Sequence, residues 1–281
     1  MSKKKMEQDS TLFVSALSEI MMLEAEKIIP NASTKADVIA SNKKRRIDAL
    51  SQATSANSSF HETAPSYSSI QVVKTTAKYS IYSVSTPLGT RALKTTVTDN
   101  PSIDDVQNLD NELKIGCQIS SHTFRKSYAR TTYQNKQALL LEWVDGNPLS
   151  EVTKFSISDL YDIARKIISS VLETHNNKIC HLNLSCDHVL LNSDFNIKII
   201  GFGSSSSFCT KQSHNPKLLE RDLHYISPEQ TGRVNRLVDF RSDFYSLGII
   251  LYRLLTGAYP FQSEDASKVI KMHVSTTTVS K

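Results

Sequence analysis

The order of the secondary-structure patterns is the feature that most constrains how this chain of 281 residues folds. From about residue 70, short runs rich in β-branched and aromatic residues surround one helical stretch at residues 103–119. Beyond residue 148 the patterns become mainly helical, with long amphipathic stretches at 158–176 and 241–256. Strands followed by helices indicate an α+β protein with two lobes, a small β-rich lobe and then a mostly helical one.

The individual patterns give boundaries that a structure can check. Strands are predicted at residues 70–73, 79–84, 90–96, 127–133, 137–144, 189–191 and 197–200. The helix at 241–256 is expected to end before Gly257, because glycine is frequent just beyond helix C-termini. A further helix is predicted at 263–273.

Residues 1–65 differ in composition from the rest of the chain. They are rich in Ser, Ala, Thr and Lys, which predicts a largely disordered tail. Within it, residues 11–29 have apolar side chains at helical spacing, which indicates either a docking helix or one that forms only transiently. The basic runs at 3–5 and 43–46 are either solvated tail or patches for nuclear import or nucleic acid, and the tail composition favours the first.

Composition also narrows the compartment and the partners. The four cysteines lack the spacing of metal ligands or of a disulfide framework. The N-terminus has no apolar signal core, and no apolar stretch is long enough to span a bilayer. We therefore expect a cytoplasmic protein, with the nucleus as an alternative, and neither a membrane nor nucleic acid as its partner.

Several short motifs follow one another in the order found in protein kinases. They are RALK at 91–94, Glu112, HLNL at 181–184, GFG at 201–203, SPE at 227–229 and Asp243. This series resembles the protein-kinase signature set. The resemblance implies a bilobal, protein-kinase-like fold over residues 70–275. Because a full kinase domain continues through further helices, we also expect a C-terminally shortened second lobe, and a disordered end at 276–281.

A narrower resemblance lies in residues 224–243, which read HYISPEQTGRVNR and then DFRSD. This stretch resembles the kinase-like domain at the front of large multidomain hybrid sensor histidine kinases of fungi. That resemblance implies a role in two-component or stress-related signalling, with a protein as partner. A phosphoacceptor-histidine segment and a receiver domain are not recognisable in the sequence, so no phosphorelay is expected from this chain alone.

The positions that carry phosphoryl transfer in protein kinases hold other residues here. Asn183 stands in place of the catalytic-loop carboxylate, and an amide carries no charge and takes no proton at neutral pH. Ser185 replaces the loop lysine. His188 and Gly201 replace the two magnesium ligands, and neither offers the oxygen atoms that Mg²⁺ prefers. We place the phosphate-covering loop at residues 79–88, which contain no glycine, and we expect no bound metal.

Two charged positions of the nucleotide site are retained. Lys94 and Glu112 form either a residual nucleotide-binding pair, which would hold ATP without Mg²⁺, or a structural ion pair between strand and helix. The second reading is favoured, because metal ions normally neutralise much of the phosphate charge. Gly116 lies where an apolar side chain would complete the stack of side chains between the lobes.

Four positions that support the fold in this family are also retained. They are His181, Phe202, Glu229 and Asp243. The first two are expected to pack between the lobes, and Asp243 to accept N–H bonds from the catalytic loop. Glu229 is expected to pair with Arg241 or Arg253, or to be exposed or protonated, since a buried unpaired carboxylate is costly.

Three functions stay open at this point. The missing acids favour a pseudokinase-type module that regulates or scaffolds in intracellular signalling. The alternatives are an atypical active Ser/Thr protein kinase with weak ATP binding and a truncated remnant of a larger sensor kinase.

Overall fold

A computed structural model of the chain describes residues 67–119, 121–152, 155–207 and 222–275. The predicted tail at 1–65, its candidate helix at 11–29 and the predicted end at 276–281 lie outside these residues. Those three expectations therefore stay predictions.

The first lobe is an antiparallel sheet packed on one helix. The strands are β1 (Ser69–Thr75), β2 (Tyr79–Thr86), β3 (Gly89–Thr96), β4 (Ser127–Tyr133) and β5 (Lys136–Glu142), and the helix α1 is Ile103–Gln118. The order across the sheet is β1-β2-β3-β5-β4. Because neighbouring side chains of a strand point to opposite faces, Ala92 and Leu139 pack with Leu109 of α1, whereas Leu93 packs with Val84 on the other face.

The second lobe is mainly helical. Its elements are β6 (Asn147–Pro148), α2 (Ile157–Asn176), β7 (Ile179–Cys180), β8 (Val189–Leu191), β9 (Ile197–Ile199), β10 (Ser206–Ser207), α3 (Arg241–Thr256) and α4 (Ala266–Ser275). A capping box of Ser156 and Asp159 starts α2, which buries Ile163 and Ile167 in the core. At the end of α3, Gly257 has a φ of 73°, the left-handed conformation typical of a helix stop.

The α+β fold of two lobes is confirmed, and the boundaries lie close to the predicted ones. The helix at 241–256 and the strands at 127–133 and 189–191 have the predicted bounds. The predicted helix at 263–273 begins later, at Ala266, because the Asp265 carboxylate caps the backbone N–H of Ser267 at 2.8 Å. Within the described part of the chain, no helix combines the length and the apolar character of a membrane span.

Candidate functional site

A buried triad of charges joins β3, α1 and the segment before β4. Lys94 Nζ lies 2.6 Å from Glu112 Oε2, and Arg125 Nη2 lies 2.9 Å from Glu112 Oε1. Glu112 is only 2% exposed. Burial raises the pKa of a carboxyl, but here the two cations and their hydrogen bonds outweigh burial and lower the pKa of Glu112 to about 2. The structure thus brings together the two residues singled out from the sequence and adds Arg125, which sequence reasoning missed.

The Lys94 ammonium is also covered from β2. Its Nζ lies 4.4 Å from the centroid of the Tyr79 ring, a favourable cation–π distance. The Tyr79 hydroxyl in turn donates to the Asp105 carbonyl of α1 at 2.9 Å. Lys94 is therefore held by groups of its own lobe.

The turn between β1 and β2, at residues 76–78, corresponds to the phosphate-covering loop. It joins the first two strands of the lobe, and Lys94 lies in the third. The placement of that loop at 79–88 was wrong, because residues 79–86 pair with β3 along their whole length. The turn contains no glycine and is closed by Thr76, whose N–H and hydroxyl donate to the Tyr79 carbonyl at 2.8 and 3.0 Å. Lys78 Nζ pairs with Asp105 Oδ1 at 2.9 Å. The turn therefore bonds to its own lobe through Thr76 and Lys78.

The His188 ring fills the space that a side chain at position 201 would need. A Cβ atom on Gly201 would lie 2.5 Å from His188 Cδ2 and 2.8 Å from Nε2, closer than real Cβ contacts. Gly201 also has a φ of 85°, in the left-handed region that favours glycine. An aspartate therefore fits at 201 only if His188 moves, so the two departures from the kinase pattern depend on each other.

The catalytic loop fixes the orientation of His188. Nδ1 lies 2.6 Å from the Asn183 carbonyl oxygen and 3.1 Å from Ser185 Oγ. Burial, followed by the nearby His181, lowers the pKa of His188 to about 4, so its ring is neutral at pH 7. The short contact to a carbonyl requires Nδ1 to carry the proton. A neutral imidazole suits a hard cation poorly, so the residues at these positions do not fit magnesium.

A column of packed side chains connects the lobes. Asp243 accepts the backbone N–H groups of His181 and Leu182, both at 2.7 Å. The His181 ring lies 4.8 Å from that of Phe202, which lies 5.6 Å from that of Phe124. Asp243 thus holds the backbone of the catalytic loop, and His181 and Phe202 pack against each other.

Phe124 supplies the ring that position 116 cannot. Gly116 packs so closely on Ser127 of β4 that a Cβ atom there would overlap the serine side chain. Ser127 Oγ uses this approach to donate to the Glu112 carbonyl at 2.9 Å. The stack is therefore completed from the segment after α1 and not from α1 itself.

Asn111 of α1 fixes the GFG segment and was also missed from the sequence. Its Nδ2 lies 2.7 Å from the Ser205 carbonyl, 3.0 Å from that of Gly203 and 3.3 Å from that of Phe202. A Cβ atom on Gly203 would lie 3.1 Å from the Asn108 carbonyl, so α1 packs closely on this backbone. The only sequence signal that could have indicated this role of Asn111 was its position next to Glu112.

Asp187 links the lobes at the protein surface. Its Oδ2 lies 3.0 Å from Lys74 Nζ of β1, and its Oδ1 accepts a hydrogen bond from Ser150. Both charged side chains are nearly half exposed, at 43% for Lys74 and 46% for Asp187. Asp187 is thus engaged by Lys74 and Ser150. No group of three His, Cys, Asp or Glu side chains suited to a metal ion occurs among the residues that the structure describes.

Glu229 has a different partner from the two that the sequence suggested. Its Oε1 accepts a hydrogen bond from Ser242 Oγ at 2.5 Å, and the residue is partly exposed. Arg241 instead pairs with Asp239 at 2.8 Å, and Arg253 donates to the Tyr225 hydroxyl at 2.9 Å. The serine hydroxyl and solvent therefore satisfy this carboxylate.

Comparison with known proteins relates most of the chain to protein kinases. Residues 87–280 match the family model described as "Protein kinase domain". "Serine/threonine-protein kinase PrkC" of Bacillus subtilis is 30% identical over 146 residues, which cover 50% of this chain and 22% of that protein. "Histidine protein kinase 1" of Candida albicans is 38% identical over 125 residues, 42% of this chain and 5% of that protein. "Calcium-dependent protein kinase 5" of Plasmodium falciparum is 29% identical over 188 residues, 64% of this chain and 32% of that protein. The chain thus spans a third or less of the length of these relatives.

Proposed function

Because the chain belongs to the protein kinase domain family, we propose that it is a pseudokinase, which acts in signalling by binding another protein and not by transferring phosphate. The observation that carries the proposal is the His188 ring in the space that an acidic side chain at position 201 would need. The metal-binding aspartate of the family fits there only if the His188 ring moves away.

The requirements of phosphoryl transfer support this proposal. The reaction depends on metal ions that neutralise the phosphates and on a carboxylate that orients the acceptor hydroxyl. Asn183, His188 and Gly201 provide no negative charge at the three positions concerned. Asp187 is engaged by Lys74 and Ser150. Electrostatic stabilisation is commonly the largest contribution to such catalysis, so its loss at three positions predicts a very low rate.

The contacts of α1 support a binding role for the same domain. The buried Lys94–Glu112–Arg125 triad and the Asn111 hydrogen bonds hold α1 against β3 and the GFG segment with groups of the protein alone. A kinase-shaped surface is then presented without nucleotide or metal. The similarity to a fungal histidine protein kinase suggests two-component or stress-related signalling, in the cytoplasm or nucleus, with a protein as partner.

One observation favours a second candidate, an atypical active Ser/Thr kinase. The Lys94–Glu112 ion pair has the geometry of a nucleotide-binding site, and curated relatives include proteins named as serine/threonine kinases. This candidate requires a carboxylate from elsewhere to enter the cleft.

Phosphate transfer and ligand-induced stabilisation together separate the two candidates. The purified chain is incubated with labelled ATP, Mg²⁺ and a general protein acceptor, and its Tm is followed as ATP is added with and without Mg²⁺. The proposal predicts no more labelled product than from the Lys94→Met variant and no Tm shift that depends on Mg²⁺. Transfer that requires both Mg²⁺ and Lys94 would instead establish an active kinase. A Tm shift with ATP alone would add nucleotide binding to the pseudokinase.

A further inference from the structure

Residues 232–237, which we call the arginine loop, belong to the unusual 224–243 stretch and are not among the cleft residues described above. Arg233, Arg236 and Leu237 are exposed. Leu237 keeps 73% of its accessible surface, among the largest values for an apolar side chain in the described residues. The loop therefore offers two guanidinium groups and one large apolar side chain to solvent.

The base of the arginine loop is fixed by the buried half of the same motif. Gln230 Nε2 donates to the Leu182 carbonyl of the catalytic loop at 2.8 Å. Thr231 Oγ1 donates to the Pro228 carbonyl at 2.5 Å and accepts the Arg233 N–H at 3.1 Å. Gly232 has a φ of 68°, which only glycine adopts readily. The arginine loop therefore leaves this turn in one defined direction.

Within the part of the chain that the structure describes, no acidic neighbour balances the charge of the arginine loop. Asp239 already accepts three side-chain hydrogen bonds from Arg241, two from Nε at 3.0 and 3.1 Å and one from Nη2 at 2.8 Å. Glu229 is held by a serine hydroxyl. Neither Arg233 nor Arg236 forms an ion pair with any residue that the structure describes. Both guanidinium groups thus remain available to an acidic group from outside.

We propose that the arginine loop is a docking surface for an acidic segment of a protein partner that also presents an apolar side chain to Leu237. Arginine binds carboxylates through two parallel hydrogen bonds and is less strongly hydrated than lysine, so it is favoured at interfaces. Complementary charge selects the partner, and the apolar contact adds affinity. This inference rests on the proposed function, because it names a surface and a chemistry for the protein partner.

Fluorescence anisotropy with two synthetic peptides tests the inference. One labelled peptide has a leucine flanked by Glu and Asp, and the other has the same sequence with Gln and Asn. The full chain is compared with the Arg233→Gln/Arg236→Gln and Leu237→Ser variants. The matched control is Arg165→Gln/Lys268→Gln, which removes two exposed cations from α2 and α4.

The acidic peptide is expected to bind the wild type and the control equally, and to bind more weakly as salt rises. Its affinity is expected to fall about tenfold with the two arginines removed and about threefold with Leu237→Ser. The amide peptide is expected to bind at least about tenfold more weakly than the acidic one. Equal binding by the wild type and the double arginine variant, or no binding of the acidic peptide at low salt, would overturn the inference.

The outcomes for docking and for catalysis are read separately in the same preparations. Phosphate transfer by a chain that binds the acidic peptide refutes the pseudokinase proposal and leaves the docking surface in place. An inactive chain that does not distinguish the peptides refutes the docking surface alone.

Discussion

The two sides of the cleft differ in how far they depart from the kinase pattern. On the side of the first lobe, Lys94 and Glu112 form the expected ion pair, and Arg125 strengthens it with a second buried cation. On the side of the second lobe, Asn183, His188 and Gly201 place no negative charge at the positions that serve catalysis in the family. The His188 ring occupies the space beside Gly201. The difference teaches that the contacts that hold α1 in place within the first lobe do not require the groups that would perform the chemistry.

The largest effect is expected from Glu112→Gln, which tests the side of the first lobe. It would leave Lys94 and Arg125 without a counter-charge, and breaking a buried ion pair costs about 3–5 kcal/mol. Urea unfolding measures the change. Asp110→Asn, on the same helix but exposed, is the control and should cost less than about 1 kcal/mol. Equal effects of the two variants would show that the triad does not stabilise the fold.

The next effect is expected from Gly201→Asp, which tests the side of the second lobe. Overlap with His188 and the left-handed backbone should together cost about 2–4 kcal/mol. Gly232→Asp is the matched control, because its φ is also positive but no atom lies within 4 Å of the added Cβ. We expect it to cost only about 1 kcal/mol from the backbone.

A double-mutant cycle then isolates the contact between the two positions. With His188→Ala in the background, Gly201→Asp should cost at least about 1 kcal/mol less than it does alone. Strict additivity of the two changes would contradict the account of a ring that fills this space.

The dependence of stability on pH tests the second-lobe side of the cleft without a substitution of Gly201. The pKa of His188 is lowered from its ordinary value of 6.5 to about 4 in the folded chain. Between about pH 6.5 and pH 4 the unfolded chain therefore binds more protons than the folded chain. The contribution of the neutral His188 ring to the free energy of unfolding is complete above about pH 6.5 and is lost as the pH falls to about 4. We expect a loss of about 1–3 kcal/mol over that range.

Variants assign this loss of stability to a residue. His188→Gln should make the fall between about pH 6.5 and pH 4 shallower. His273, whose pKa is also lowered to about 4 by burial, lies in α4 against Tyr245, so His273→Gln shows the effect of a histidine away from the cleft. An unchanged slope with His188→Gln would contradict a neutral, partly buried ring.

The smallest effect is expected at the surface link between the lobes. Asp187→Asn removes its ion pair with Lys74, and pairs this exposed contribute about 0–1 kcal/mol and weaken in salt. Thermal unfolding at low and high salt measures it, with Asp194→Asn in an exposed turn as the control. A decrease in the free energy of unfolding above about 2 kcal/mol would show that this surface ion pair, and not the buried contacts, is the main link between the lobes.

The sequence was sufficient for elements whose patterns are local. The helix at 241–256 could be predicted because its apolar period lies within the helix and the glycine that ends it follows directly. The phosphate-covering loop was misplaced because its real counterpart, residues 76–78, is a short turn without glycine and has no pattern of its own.

The rest of the site depends on contacts between distant segments. Phe124 and Arg125 lie in a segment without periodicity, and their partners Phe202 and Glu112 meet them only in the folded chain. The sequence showed that His188 and Gly201 both depart from the kinase pattern. It did not show that the His188 ring fills the space beside Gly201. Such compensation is a property of packing, which no spacing rule describes.

Binding of a divalent cation to the cleft gives the sharpest single test. Mn²⁺ takes the same oxygen ligands as Mg²⁺ and is visible by electron paramagnetic resonance. With Mn²⁺ and a non-hydrolysable ATP analogue, the spectrum is predicted to be the same with the protein present or absent. A protein-bound Mn²⁺ signal that requires the nucleotide and disappears in Lys94→Met would contradict a cleft without metal ligands.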